Sequence, residues 1–262
     1  MIQVEFARHA KNIFEKQEAI TGLAIGGSWI NNELDEYSDL DLLVITREKI
    51  TDDKNKMFGY AKLLGHFLSG FTGEHVGEPR LLICLYEHPL LHVDLKFLTM
   101  EELAHRVETP TVLFDKTGKI QEILNRSAAH FPYPDYQWIE DRFWIWVHYA
   151  LLKTGRGEYL EALDFLGFIR MIVLGPLLQI KNDCLPRGVR KVETELNGED
   201  LRELKTTIAT YDRTSLLNSL KNAVKLYRRL RTSLFSNEVH LQYETENSVM
   251  HYFSKIEDRS TL

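Results

Sequence analysis

Cysteine is nearly absent from this chain: only Cys84 and Cys184 occur, far apart. One remote pair makes no disulfide framework, so an apolar core must hold the fold, and a reducing cytoplasm is the expected setting. An excess of basic charge is lacking as well. The 32 Lys and Arg are outnumbered by 38 Asp and Glu, for a net charge of −6. A template-dependent polymerase or a nonspecific nucleic-acid binder needs basic surface to neutralise phosphates, so no nucleic-acid partner is expected. Long apolar runs are missing too. The most apolar stretch, residues 171–180 (MIVLGPLLQI), is short and interrupted by Gly175-Pro176, so no membrane span is expected. Residues 1–17 carry acids at helical spacing and read as an amphipathic helix rather than a signal peptide. There is no internal repeat and no low-complexity tract.

What the chain does have is an ordinary globular composition, 44% apolar and 27% charged, over 262 residues. That length suits one large domain or two modest ones. The organising stretch is residues 23–45, LAIGGSWINNELDEYSDLDLLVI. An apolar strand (23–25) runs into Gly26-Gly27-Ser28, a brief helical turn is expected from Ser28, and a second strand carries Asp39 and Asp41. Alternate strand residues share a face, so the two carboxylates repel one another at the entrance to an apolar strand. A divalent cation relieves that repulsion, and hard oxygen ligands suit magnesium. The glycines permit close backbone approach to a bulky anion, and free amides after Gly27 would face a phosphate.

Gly27-Ser28, the spacer 29–38 and then Asp39-Leu40-Asp41 resemble the signature of the polymerase-β-like nucleotidyltransferase superfamily. That resemblance implies a third carboxylate on a later strand. Residues 80–86 and 90–98 read as an antiparallel hairpin around Glu87-His88-Pro89, with Asp94 on the polar face of its second strand, flanked by His92 and Lys96. Asp94 is therefore the third candidate. Residues 54–68 read as a helix, 69–79 as a glycine-rich loop, and Thr99 with Glu102 as a capping box. The run DLKFLTMEEL followed by VLFDKTG is similar to the aminoglycoside 6-adenylyltransferases and related antibiotic-resistance enzymes.

Beyond the break at Phe131-Pro132-Tyr133-Pro134 nearly everything reads as helix, with an aromatic stripe at Trp138, Phe143, Trp144, Trp146 and Tyr149 and a helix break at Thr154-Gly155. The expected fold class is α+β. Residues 1–134 would form the nucleotidyltransferase domain, a short mixed sheet flanked by helices, and 135–262 an all-helical substrate-binding domain, with the substrate pocket between them. Arg187, Arg190 and Lys191, after a Pro-Gly turn, form a cationic cluster suited to a triphosphate tail. The tail 236–262 reads as polar and partly helical.

The resemblance implies transfer of a nucleoside monophosphate, AMP from ATP, to a hydroxyl of a small molecule such as an aminoglycoside or a lincosamide. Asp39, Asp41 and Asp94 would bind two magnesium ions about 3.5–4 Å apart. Gly27, Ser28, Arg187, Arg190 and Lys191 would hold the phosphates. Asp94 is the first candidate general base, with Glu158 or Glu161 second. Two readings compete: a fold-retaining regulatory module without chemistry, and an enzyme whose acceptor is a metabolite or a protein. An inactive module should lack one of the three carboxylates, and all three are present.

Overall fold

Along β2 (Leu40–Thr46), Leu40, Leu42 and Val44 point to one side of the sheet, and Leu43 and Ile45 point to the other. Both sides are covered. On the first lie Ala7, Ala10 and Phe14 of α1 (Ile2–Phe14) and Met57 and Ala61 of α2 (Lys54–Lys62). On the second lie Leu103 of α3 (Met100–Leu103) and Ile120 and Leu124 of α4 (Lys119–Arg126). A strand covered twice needs apolar residues at every position, which is why the acids are confined to its N-terminal end. This computed structural model describes residues 1–258.

β1 (Ile20–Ile25), β2, β3 (His66–Gly73), β4 (Glu78–Glu87), β5 (Leu91–Leu98) and β6 (Thr111–Asp115) form one sheet in the order β3-β4-β5-β2-β1-β6. β2 and β5 run parallel, and the remaining neighbours are antiparallel. The sheet is thus mixed and the chain α+β.

The hairpin of β4 and β5 pairs Ile83 with Asp94 and Leu81 with Lys96. Thr99 caps α3 by accepting from the Glu102 amide, while Glu102 accepts from the Thr99 amide, a complete capping box. β3 corrects the expected helix end and loop across 54–79. α2 stops at Lys62, and His66–Gly73 pairs with β4 as an edge strand. Its burial does not alternate and it holds Ser69 and Gly70, so the strand comes from its partner's hydrogen bonds rather than from local pattern.

The chain divides into two compact units after Phe131. The second is helical and has its own core, built on α5 (Tyr136–Arg156), α6 (Tyr159–Ile169), α7 (Gly175–Lys181) and α10 (Arg213–Leu234). It also contains α8 (Val192–Glu195), α9 (Gly198–Lys205) and α11 (Tyr243–Asp258). Residues 259–262 of the expected polar tail lie outside the described residues.

One expected break is displaced and another is absent. α5 continues through Gly155, where a Cβ would sit 3.3 Å from Ile256 Cδ1, and stops at Gly157, whose φ of 79° supplies the left-handed cap. Nor do Gly175-Pro176 end the helix. A π turn, Arg170–Leu174, absorbs the proline, and the helical run Tyr159–Lys181 is continuous over 23 residues. By length and apolarity that run is sufficient to span a bilayer, and half of its most apolar window is buried within the fold.

Candidate active site

Asp41 and Asp94 are register partners across the parallel β2–β5 pair. Register partners on adjacent strands project to the same side, about 4.8 Å apart at the backbone. Asp39 lies one residue before β2, off the strand itself. It is near enough that its charge acts on Asp94. The Asp94 carboxyl is pushed above its ordinary value by burial, against the pull of His92 and with the help of Asp39. His92 Nε2 lies 2.9 Å from Asp94 Oδ1. Lys96, the other flanking residue, joins Glu78 at 2.7 Å.

The glycine bend reaches the same acids. Gly26 N–H donates to the Asp41 carbonyl at 2.9 Å, which ties the bend to the start of β2. Gly27 has φ +60°, and a Cβ there would fall 1.9 Å from Asp41 Oδ2. Only glycine fits, for conformation and for space. The brief helical turn expected at Ser28 is a single 3₁₀ turn, Gly27–Trp29, and Glu33 N–H turns back to the Ser28 carbonyl at 2.9 Å. No macrodipole of consequence forms over one turn, so any anion here would rely on individual amides.

One of those amides already has an anionic partner. Gly27 N–H donates to Glu108 Oε1 at 2.8 Å. Glu108 sits on the segment between α3 and β6, which buried Arg106 anchors by donating to Ser127 Oγ at 2.6 Å and the Leu124 carbonyl at 3.0 Å. No motif marks Glu108 in the sequence; it reaches the bend only because β6 returns beside β1.

A cavity of about 230 Å³ opens on this face, lined by Asp41, Asp94, Glu108, Lys96, Arg80 and Glu78 among others. All its lining residues belong to the first unit. Its cationic side is a ladder in which Arg80 and Lys96 both meet Glu78 at 2.7 Å, and Arg80 reaches Glu102 at 3.6 Å. Burial opposes ionisation of Glu78, yet the hydrogen bonds from Arg80 and Lys96 prevail and hold its carboxyl at about 2. Carboxylates beside paired cations would suit an anion carrying a hard cation.

The remaining candidates belong to the second unit. Arg187, Arg190 and Lys191 follow α7 on a loop pinned by buried Gln179, which accepts from the Arg187 amide at 2.7 Å and donates to the Arg190 carbonyl at 2.8 Å. Glu158 and Glu161 both meet Lys153, at 2.8 and 2.9 Å. Glu161 also accepts from the Tyr149 hydroxyl, and that bond with Lys153 holds its carboxyl below the ordinary range. A carboxylate held low is a poor proton acceptor.

No family model matches the chain, and no curated protein sequence matches it. Among solved structures it is similar to an aminoglycoside 6-adenyltransferase from Bacillus subtilis, with 16% identity and a TM-score of 0.43 over 99% of this chain and 98% of that one. It is also similar to a nucleotidyltransferase-like protein from Exiguobacterium sibiricum 255-15, with 12% identity and a TM-score of 0.35 over 99% and 81%.

Proposed function

We propose that the chain is a cytoplasmic, magnesium-dependent nucleotidyltransferase that moves AMP from ATP to a hydroxyl of a small molecule. The observation that carries this reading is the register pair Asp41–Asp94, set against a bend where only glycine fits. The donor set suits magnesium: oxygen ligands from Asp39, Asp41 and Asp94, with one of the three carboxyls resisting ionisation until a cation offsets its neighbours. When bound, magnesium supplies charge neutralisation for the triphosphate and acidifies the acceptor hydroxyl.

The chain's own residues account for the rest. Gly27 and Ser28 present amides to the phosphates, in competition with Glu108. Lys96 and Arg80 line the same cavity. Asp94, its carboxyl raised above the ordinary value by burial, accepts the hydroxyl proton, and His92 beside it holds the orientation of its carboxylate. Arg187, Arg190 and Lys191 are assigned to the triphosphate tail. Residues 135–262 are assigned to the acceptor, an aminoglycoside, a lincosamide or another polyhydroxylated small molecule. Partly exposed rings there would give it a stacking surface: Trp138 and Trp146 at 5.5 Å, Trp146 and Phe168 at 5.0 Å.

Isothermal titration with a non-hydrolysable ATP analogue tests the reading. Binding should require Mg²⁺ and be lost in Asp41→Asn and in Gly27→Ala. Binding indifferent to metal and to both substitutions would remove the enzyme. A panel of aminoglycosides and lincosamides with labelled ATP would then identify the acceptor.

A further inference from the structure

A histidine pair and a carboxylate meet at the open edge of the sheet. His66 begins β3 and is the cross-strand partner of Glu87, the last residue of β4. His88 follows directly, and its left-handed backbone, φ 65°, turns the chain there. Glu87 Oε2 consequently lies 3.4 Å from His66 Nδ1 and 3.6 Å from His88 Nε2. The three donor atoms all lie within 4.8 Å of one another, and the two imidazole rings are 5.5 Å apart between centroids.

These separations are long for hydrogen bonds, which fall at about 2.7–3.2 Å. The two distances to Glu87 lie close to a different geometry. Zinc ligand bonds of about 2.0–2.1 Å arranged tetrahedrally put neighbouring ligand atoms about 3.3–3.4 Å apart. Two imidazole nitrogens and one carboxylate oxygen also form a donor set for a borderline divalent ion rather than for magnesium. The side chains are 58%, 41% and 77% exposed, so a cation reaches them without desolvating the protein interior.

We propose that His66, Glu87 and His88 bind a zinc-class transition-metal ion, with water completing the coordination. The site is separate from the acidic cluster. Glu87 stands four residues along β4 from Ile83, the register partner of Asp94, a distance of about 13 Å at strand rise. It is also independent of the nucleotidyltransferase reading. β3 is the outermost strand on this side. A bound ion would join the start of β3 to the end of β4, pinning the edge strand to its neighbour where it is most open to fraying.

Titration of the chelator-stripped full chain with zinc chloride, followed by calorimetry and thermal unfolding, tests this. The wild type should bind and gain thermal stability, with excess Mg²⁺ failing to compete. His66→Ala and His88→Ala should each weaken zinc binding by at least the roughly 10–100-fold that follows loss of a ligand's supporting partner. Asp41→Asn should bind zinc as the wild type does. Both histidines are exposed, so circular dichroism should report native folds for the variants, and His88→Gln gives a second, more conservative variant of that ligand. Zinc binding unchanged in both alanine variants overturns the site. So does absence of binding in the wild type, or a loss found in Asp41→Asn instead.

Discussion

The Gly27 amide, at a position where neither a side chain nor an ordinary backbone conformation fits, donates to the Glu108 carboxylate at 2.8 Å. Glu108 thus places an internal anion where the proposed function places a phosphate. A carboxylate and a phosphate cannot share one N–H, and their like charges repel. Glu108→Ala should therefore lower the thermal stability of the nucleotide-free protein while tightening binding of the magnesium complex of an ATP analogue. A hydrogen bond to a charged group contributes about 1.5–3 kcal/mol, so a gain of about tenfold in affinity lies at the lower end of the expectation. Calorimetry reads the affinity and differential scanning fluorimetry the stability. Weaker binding in Glu108→Ala would instead make this carboxylate part of the cation's ligand set.

Much of the acidic half of this site was legible in the sequence because its geometry is local. Asp41 follows the glycine bend closely in sequence at the start of an apolar strand, and β5 carries the apolar alternation that fixes which face Asp94 takes. Glu108 was not legible, because it arrives through a β1–β6 pairing that no periodicity encodes. β3 was hidden for a related reason. An edge strand with one pairing partner is free to be polar and irregular, so HFLSGFTG carries none of the alternation that betrays a strand with a buried face. The continuity of Tyr159–Lys181 was masked by Gly175-Pro176, since a π turn that accommodates proline leaves no mark in composition.

Asp94 sets stability against chemistry. Its carboxyl is raised by burial and by Asp39, so the folded state disfavours the ionised form. As pH rises from the ordinary value of 3.8 through the raised one, folding loses stability, and above that window the penalty is complete. Asp94→Asn removes it. The variant should melt at a higher temperature than the wild type at neutral pH, the difference should close as pH falls to 3.8, and nucleotidyl transfer should be abolished. Thermal unfolding across pH checks the first part. A variant less stable than the wild type at pH 7 would mean that His92 outweighs the burial.

Glu78 behaves in the opposite sense. Its carboxyl lies near 2, below the ordinary 4.5, so its stabilisation is present in full above 4.5 and is lost as pH falls from there toward 2. Glu78→Gln should lower stability at pH 7 by about 1.5–3 kcal/mol, the worth of a hydrogen bond to a charged group, and should match the wild type near pH 2. Urea unfolding at several pH values reads the difference. A pH-independent loss would point to packing rather than to the ion pairs with Arg80 and Lys96.

The second unit has its own buried charge. Glu140 is fully buried and accepts from Trp144 Nε1 at 3.2 Å, Arg231 Nη1 at 3.1 Å and the Gln242 amide at 2.9 Å, as well as from the Tyr227 hydroxyl. Arg231 continues to Glu246 at 2.9 Å, so the carboxylate joins α5, α10 and α11. Glu140→Ala would leave Arg231 with Glu246 as its remaining carboxylate and three further donors without their acceptor in an apolar setting, and each buried donor left unsatisfied costs about 1–3 kcal/mol. Three of the four tryptophans, Trp138, Trp144 and Trp146, lie on α5, so fluorescence during urea unfolding reports chiefly on this unit. Glu140→Gln keeps the shape and one acceptor and should lose less. If the two variants unfold at the wild-type urea concentration, the network is not what holds these three helices together.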